Sequence, residues 1–131
     1  MEINQNVGVQ FRAAVEARDI DGMVAVLDPQ VRLFSPVAFR PFAGREAVRE
    51  LFTNLLEVFS DFRYEDELVG DGAHALIFRA TVNGKELQGL DYMQFGSNGL
   101  VDRFTVMVRP ASALLALGEA LAPRVAHLAK D

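Results

Sequence analysis

Three Asx-Gly pairs, Asp71-Gly72, Asn83-Gly84 and Asn98-Gly99, punctuate the second half of the chain. Such pairs favour tight hairpins, because both central residues of the turn tolerate positive φ. The segments between them alternate apolar and polar residues, as strands with one buried face do. They predict strands at about 62–69, 74–82, 86–95 and 100–109, joined in sequence into an antiparallel meander.

Neighbouring strands must agree on which face meets the core. HALIFRATV puts Leu76, Phe78, Ala80 and Val82 on one side, and VDRFTVMVR groups Phe104, Val106 and Val108. On the strand between them, Asp91 falls in phase with Leu87, Met93 and Phe95, on the face that ought to be buried. A carboxyl there loses hydration, which raises its pKa by penalising the charged form. Held neutral, it can donate a hydrogen bond to a ligand; alternatively a backbone amide, a buried water or Arg103 satisfies it. The opposite face carries Ile77, Leu90, Tyr92 and Met107, more apolar surface than a free sheet leaves in water. A second subunit or the carboxy-terminal helix can cover it, and the expectation is a homodimer through this outer face.

The first half has helical period instead. Phe11, Ala14, Val15 and Arg18 share one face, and Asp19 caps a second short helix carrying Ile20, Met23, Val24 and Leu27 before Asp28-Pro29 stops it. QVRLFSP reads as a short strand, followed by a loop from Pro36 to Pro41. GREAVRELFTNLLEVFS then sets Val48, Leu51, Phe52, Leu55, Leu56 and Phe59 on one stripe of an amphipathic helix. Phe52 and Phe59 either line a cavity or fill the core. SALLALGEALAPRVAHLAK is helical by composition, weakened at Gly118 and Pro123. The order is α-α-β-α-β-β-β-β-α, an α+β fold with the helices on one face of a curved sheet.

A chain of 131 residues suits a single domain, expected to span 1–131. It has no cysteine, which removes disulfides, thiolate metal sites and thiol nucleophiles. The start, MEINQNVG, lacks the apolar stretch of a secretory signal, and no uncharged run reaches membrane-spanning length, so the cytoplasm is expected. A net charge of −5 with scattered basic residues argues against nucleic acid as a partner. His74, just after a turn, reads as a surface imidazole, and His127 suits the end of the last helix. Far apart and without a carboxylate at ligand spacing, they imply no metal. The string GDGAHA, Gly70 to Ala75, matches a dinucleotide fingerprint in letters only; it joins two strands and offers no helix amino terminus to a pyrophosphate. No cofactor is expected. Ser35 points inward with Val31 and Leu33 and has no nucleophile elbow around it, while Arg40 stands near the mouth of the expected pocket.

The segments ARDIDGMVAVLDPQVRLFSP, PFAGREAVRELF and GLDYMQFGSNGLVDRF, in that order and spacing, resemble the nuclear transport factor 2-like superfamily. The likeness is to its SnoaL-like branch, which includes ketosteroid isomerase and polyketide cyclases, and it runs from about Val7 to Arg109. It implies a cone-shaped fold, a pocket between the long helix and the concave sheet, and a dimer through the outer sheet face. Matched to ketosteroid isomerase, Asp91 falls where that enzyme keeps a protonated, hydrogen-bond-donating aspartate. Phe11 falls at its tyrosine donor and Ser35 at its aspartate base, so two of three chemical groups differ. Against limonene epoxide hydrolase, the last strand offers Phe104, Val106 and Val108 where a second carboxylate should stand.

The reading is thus a small-molecule-binding protein with a mostly apolar pocket. Its expected lining is Phe11, Val15, Leu33, Ser35, Phe52, Leu55, Phe78, Met93, Phe104 and Val106, with Asp91 as the inward acid and candidate catalytic group. Apolar walls with few polar groups suit a ring-containing or polyketide-like ligand. Two alternatives stay open: a cofactor-independent acid-base isomerase, cyclase or dehydratase acting through Asp91, and an interaction module using the outer sheet face.

Overall fold

In the computed structural model, the structure describes residues 2–128, with side chains from Val7 onward. The elements are α1 (Glu2–Glu16), α2 (Ile20–Ala25), β1 (Leu27–Phe34), β2 (Phe42–Ala43), α3 (Arg45–Val58), β3 (Ser60–Val69), β4 (Ala73–Val82), β5 (Lys85–Phe95), β6 (Val101–Arg109) and α4 (Ala111–Val125). The strands form one sheet in the order β2-β1-β6-β5-β4-β3. Neighbours are antiparallel except β1 and β6, which run parallel because α3 and the meander intervene between them. The fold is the α+β arrangement that the element order implied, with the cone shape that the family resemblance implied.

The meander follows its turn chemistry. Asn83 and Gly84 have φ of 49° and 81°, the paired positive values of a tight hairpin turn, and β4 pairs with β5 without interruption from Ala73↔Gln94 to Val82↔Lys85. This register places Leu76, Phe78 and Ala80 of β4 on the same face as Asp91 and Met93 of β5 and Phe104 of β6, all buried.

Two boundaries differ from the sequence expectation. The helix capped by Asp19, whose carboxylate accepts the Gly22 amide at 3.1 Å, ends at Ala25, and Leu27 to Pro29 open β1 instead. Leu27 pairs with Val101, and the Asp28 carboxylate accepts the Gln30 amide, a local turn that carries the chain across a register shift before Arg32. The loop expected from Pro36 to Pro41 is followed by a two-residue strand, with buried Phe42 paired to Leu33. Arg18 sits outside α1 with φ of 55° and donates to the Leu56 carbonyl, fixing the α1–α2 corner to the end of α3.

Helix α3 buries Val48, Leu51 and Phe52 against the inner sheet face, while Leu55 and Leu56 are half-buried further along the same stripe and Phe59, expected on it, is the half-buried extended residue just past the helix end. Helix α4 buries Ala113, Leu117, Leu121 and Val125 on that same inner side. It therefore does not cover the outer face, and the alternative that assigned it there is set aside. Its i, i+4 stripe of those four residues meets the inner layer, and at Gly118, where an added Cβ would come within 3.4 Å of Val37, the helix closes on the loop after β1. Residues 129–130 of the expected helix lie outside the described residues. Among the described residues no helix is long and apolar enough to cross a membrane.

Candidate functional site

A cavity of about 60 Å³ opens between α3, α4 and the inner sheet face. Its walls are aromatic. Phe11, Phe52 and Phe104 meet in a three-way cluster with centroids 5.2 to 5.7 Å apart, joining α1, α3 and β6. On the other side Phe62 stacks on Phe78 at 4.8 Å, and Phe59 packs on both. Gly89 makes room for this second group, since a Cβ there would lie 2.1 Å from the Phe78 ring. The edge-to-face and stacked geometries hold these rings in place and leave a narrow space between the two clusters.

Asp91 enters this space from β5. Leu76 pairs with it on one side and Val106 on the other, and the residue is only 8% exposed. No side chain or backbone group among the described residues hydrogen-bonds its carboxyl, and burial alone pushes its pKa up to about 8. At neutral pH it is mainly a neutral acid with a proton to donate. Arg103, the salt-bridge partner considered from sequence, lies on the outer face with its guanidinium 5.6 Å from the Phe34 ring centroid. It therefore leaves Asp91 unpaired.

A second polar group lines the same cavity: Tyr64 of β3, whose hydroxyl is buried with no partner among the described residues. Burial, then the nearby Asp91 carboxyl, raises its pKa, so it too stays protonated. The Arg12 guanidinium sits 5.2 Å from the Tyr64 ring centroid. Arg12 in turn donates to Glu67 at 2.6 Å, and Glu67 is 2.6 Å from Nε2 of His74.

His74 is a correction to the sequence reading. Far from being a surface imidazole, it is 1% exposed. It lies on the inner face of β4, Glu67 on the neighbouring strand supplies its polar partner, and Gly8 of α1 lets the helix pack directly on its ring, where a Cβ would fall 2.0 Å from Nδ1. The β3 arm of the hairpin stays exposed up to Asp71, but after the turn β4 goes inward at once, through half-buried Gly72 and Ala73 to buried His74.

Of the expected lining, Phe11, Val15, Leu33, Ser35, Phe52, Leu55, Phe78, Phe104 and Val106 surround the cavity together with Asp91. Met93 does not line it; fully buried beside Phe104, it is a core residue one step along β5. The Ser35 hydroxyl oxygen accepts the Val37 amide at 3.0 Å, just beyond the end of β1. Arg40 belongs to the exposed loop and is not part of the lining, and His127 lies beyond α4, 2.9 Å from Glu50. Tyr64, Phe62, Leu117 and Leu121 are lining residues the sequence reading missed. Among the described residues no group of three or more histidines and carboxylates is placed to hold a metal ion.

Comparison with known proteins agrees with this fold. No curated protein sequence matches the chain. Among solved structures, a steroid delta-isomerase from Pseudomonas aeruginosa is 35% identical, with a TM-score of 0.89 over 97% of this chain and 94% of that one. A protein with a cystatin-like fold from Silicibacter pomeroyi DSS-3 is 27% identical, with a TM-score of 0.85 over 90% and 84% of the two chains. A SnoaL-like protein of unknown function from Burkholderia thailandensis E264, 18% identical with a TM-score of 0.69 over 84% and 98%, shares the fold. The model of the SnoaL-like domain matches residues 9–109, the stretch from α1 through β6 that builds the sheet and the helices before it. With fold and family model in agreement, the chain belongs to the SnoaL-like family, within the nuclear transport factor 2-like superfamily.

Proposed function

We propose that the protein binds a small molecule in the cavity between α3 and the inner sheet face, with Asp91 donating a hydrogen bond to a ligand oxygen. One observation carries this reading: a buried acid without a partner, in a space whose other walls are almost wholly apolar. A buried polar group normally has a partner, and a ligand supplies one here. The cavity is smaller than the roughly 150 Å³ that holds a benzene ring. A ring-containing or polyketide-like ligand therefore enters by displacing the half-exposed rim, where Leu55, Phe59 and Phe62 meet solvent. Native mass spectrometry of the purified protein, followed by a thermal-shift screen of aromatic ketones, tests the reading. A ketone that stabilises the wild type is expected to lose at least about tenfold in affinity with Asp91→Leu, which keeps the bulk and removes the donor, the worth of one hydrogen bond to a buried group. Equal binding by both proteins removes Asp91 from ligand recognition.

A second reading, acid-base catalysis on a ketone-bearing substrate, is favoured by the likeness to the Pseudomonas aeruginosa isomerase over nearly the whole chain. A carboxyl with a pKa of about 8 can give up and recover a proton near neutral pH. The base of the steroid reaction has no counterpart at Ser35, whose oxygen is occupied by the Val37 amide. Turnover of a ketone substrate that disappears in Asp91→Asn supports this reading over simple binding.

The outer sheet face completes the proposal. Met107 is 53% exposed and Tyr92 36%, with Ile77 and Leu90 half-buried beside them. A second copy of the chain, packing through this face, removes that apolar surface from water. Light scattering is expected to give twice the 14.4 kDa of the chain, and Met107→Glu to halve it. A wild-type mass of one chain refutes the dimer.

A further inference from the structure

The Tyr64 hydroxyl is buried and unpartnered, and it lines the same cavity as the unpartnered Asp91. Two orphaned polar groups in one apolar space are harder to account for than one, because each forfeits its hydration without return. Their placement follows from the sheet. Tyr64 pairs with Phe78, and Phe78 with Gly89, so the row that carries Tyr64 lies beside the row that carries Asp91. Gly89 adds no side chain of its own, and the Phe78 ring lies over it.

Tyr64 is also held. Its ring meets Phe62 edge-on at 5.1 Å, and the Arg12 guanidinium lies 5.2 Å from its centroid. Arg12 is itself fixed, donating to Glu67 at 2.6 Å and to Glu16 at 3.2 Å. A polar group this constrained, with nothing to bond, is organised in advance for something that arrives.

We propose that Tyr64 is the second hydrogen-bonding group of the cavity and that, with Asp91, it selects ligands presenting an acceptor oxygen on a ring, ketones in preference to hydrocarbons or amines. This rests on the reading of the cavity as a ligand site. Both groups are donors in their neutral forms, and a carbonyl oxygen has two lone pairs to receive them. A hydrocarbon leaves both unsatisfied. An ammonium group requires an ionised Asp91 in a site that disfavours the ion, and it brings no acceptor to Tyr64.

The test uses three compounds of one shape, 1-tetralone, tetralin and 1-aminotetralin, titrated into wild type, Tyr64→Phe and Asp91→Leu, which removes the carboxyl and any donor. The chain has two tyrosines, so ¹³Cζ-tyrosine labelling gives two signals, and Tyr64→Phe identifies which is which. Tetralone is expected to bind the wild type roughly tenfold more tightly than tetralin and to shift the Tyr64 signal. Tyr64→Phe is expected to erase that preference while leaving tetralin affinity within about twofold, because it deletes only the hydroxyl. Its Tm should not fall, since the lost group has no partner in the free protein. Tetralone binding that depends on Asp91 but not on Tyr64 overturns this inference and leaves the ligand site intact. Failure of tetralone and tetralin alike to bind the wild type overturns the ligand site, and this inference with it. Tighter binding of the amine overturns the acceptor-oxygen class. A Tyr64→Phe protein that melts earlier and loses tetralin as well assigns Tyr64 to structure alone.

Discussion

Glu67 and Asp91 occupy one row of the sheet, each paired with Leu76, one on either side of β4. Both side chains belong to the inner face, and burial works to raise the pKa of both. Their outcomes are opposite. Around Glu67, burial is outweighed by hydrogen bonds from His74 and Arg12, which hold the carboxyl below the usual range. Around Asp91 there is only burial, and its pKa rises to about 8. Two strand spacings, roughly 10 Å, separate a finished ionic cluster from an unfinished polar site. A partner, more than depth, decides what a buried carboxyl becomes, and the unfinished group is the one with capacity left for a ligand.

The largest expected consequence lies at Asp91. Its folded pKa stands above the unfolded value of 3.8, so its contribution to stability is fully present below that value and is lost as the pH rises through about 8. Between those limits the wild type should lose up to about 1.4 kcal/mol per pH unit relative to Asp91→Asn, which carries no titrating group there. Urea unfolding of both proteins at pH 4.5 and pH 9 checks this. A difference of only about 1 kcal/mol is expected at the lower pH, with Asp91→Asn the more stable protein by several kcal/mol in base. A constant difference across that range means that the carboxyl acquires a partner on ionising, and the contrast with Glu67 collapses.

Why Asp91 was legible in the sequence and Tyr64 was not comes down to register. From Leu87 to Phe95 the strand alternates without interruption, and the unbroken β4–β5 pairing keeps every side chain on the face that counting by twos assigns. In β3 the register shifts between Tyr64 and Asp66, with the Asp66 carboxylate accepting the Glu67 amide at 2.8 Å across the irregularity. Tyr64 and Glu67 are three residues apart, so strict alternation puts them on opposite faces; the bulge turns both inward. His74 was misjudged for a related reason. Its packing surface Gly8 comes from an element distant in sequence, and its partner Glu67, seven residues away across the hairpin, faces inward only because of the irregularity in β3. The hairpins, the aromatic walls and the order of elements rest on local chemistry and emerged with it. The inner position of α4 depends on which of two apolar sheet faces its own stripe meets, and a stripe alone does not choose between them.

The smaller effect is expected at Glu67, with the opposite sign of pH dependence. A folded pKa below the unfolded value means stability that is present above about 4.5 and is lost as the pH falls through the lowered value. Glu67→Gln keeps the shape but loses the charge and one of two equivalent acceptors, so His74 and Arg12 can no longer both be served. The imidazole is the group that suffers, because it is buried while Arg12 retains Glu16 and access to water. A loss of about 1–3 kcal/mol at pH 7 is expected, shrinking toward zero in acid, where the wild-type carboxyl is protonated as well. Because Arg12 lies against the Tyr64 ring, the same variant should weaken ketone binding without abolishing it. A Glu67→Gln protein more stable than wild type at neutral pH would show that the cluster, like Asp91, is held at a cost, and the two ends of the row would then differ in degree only.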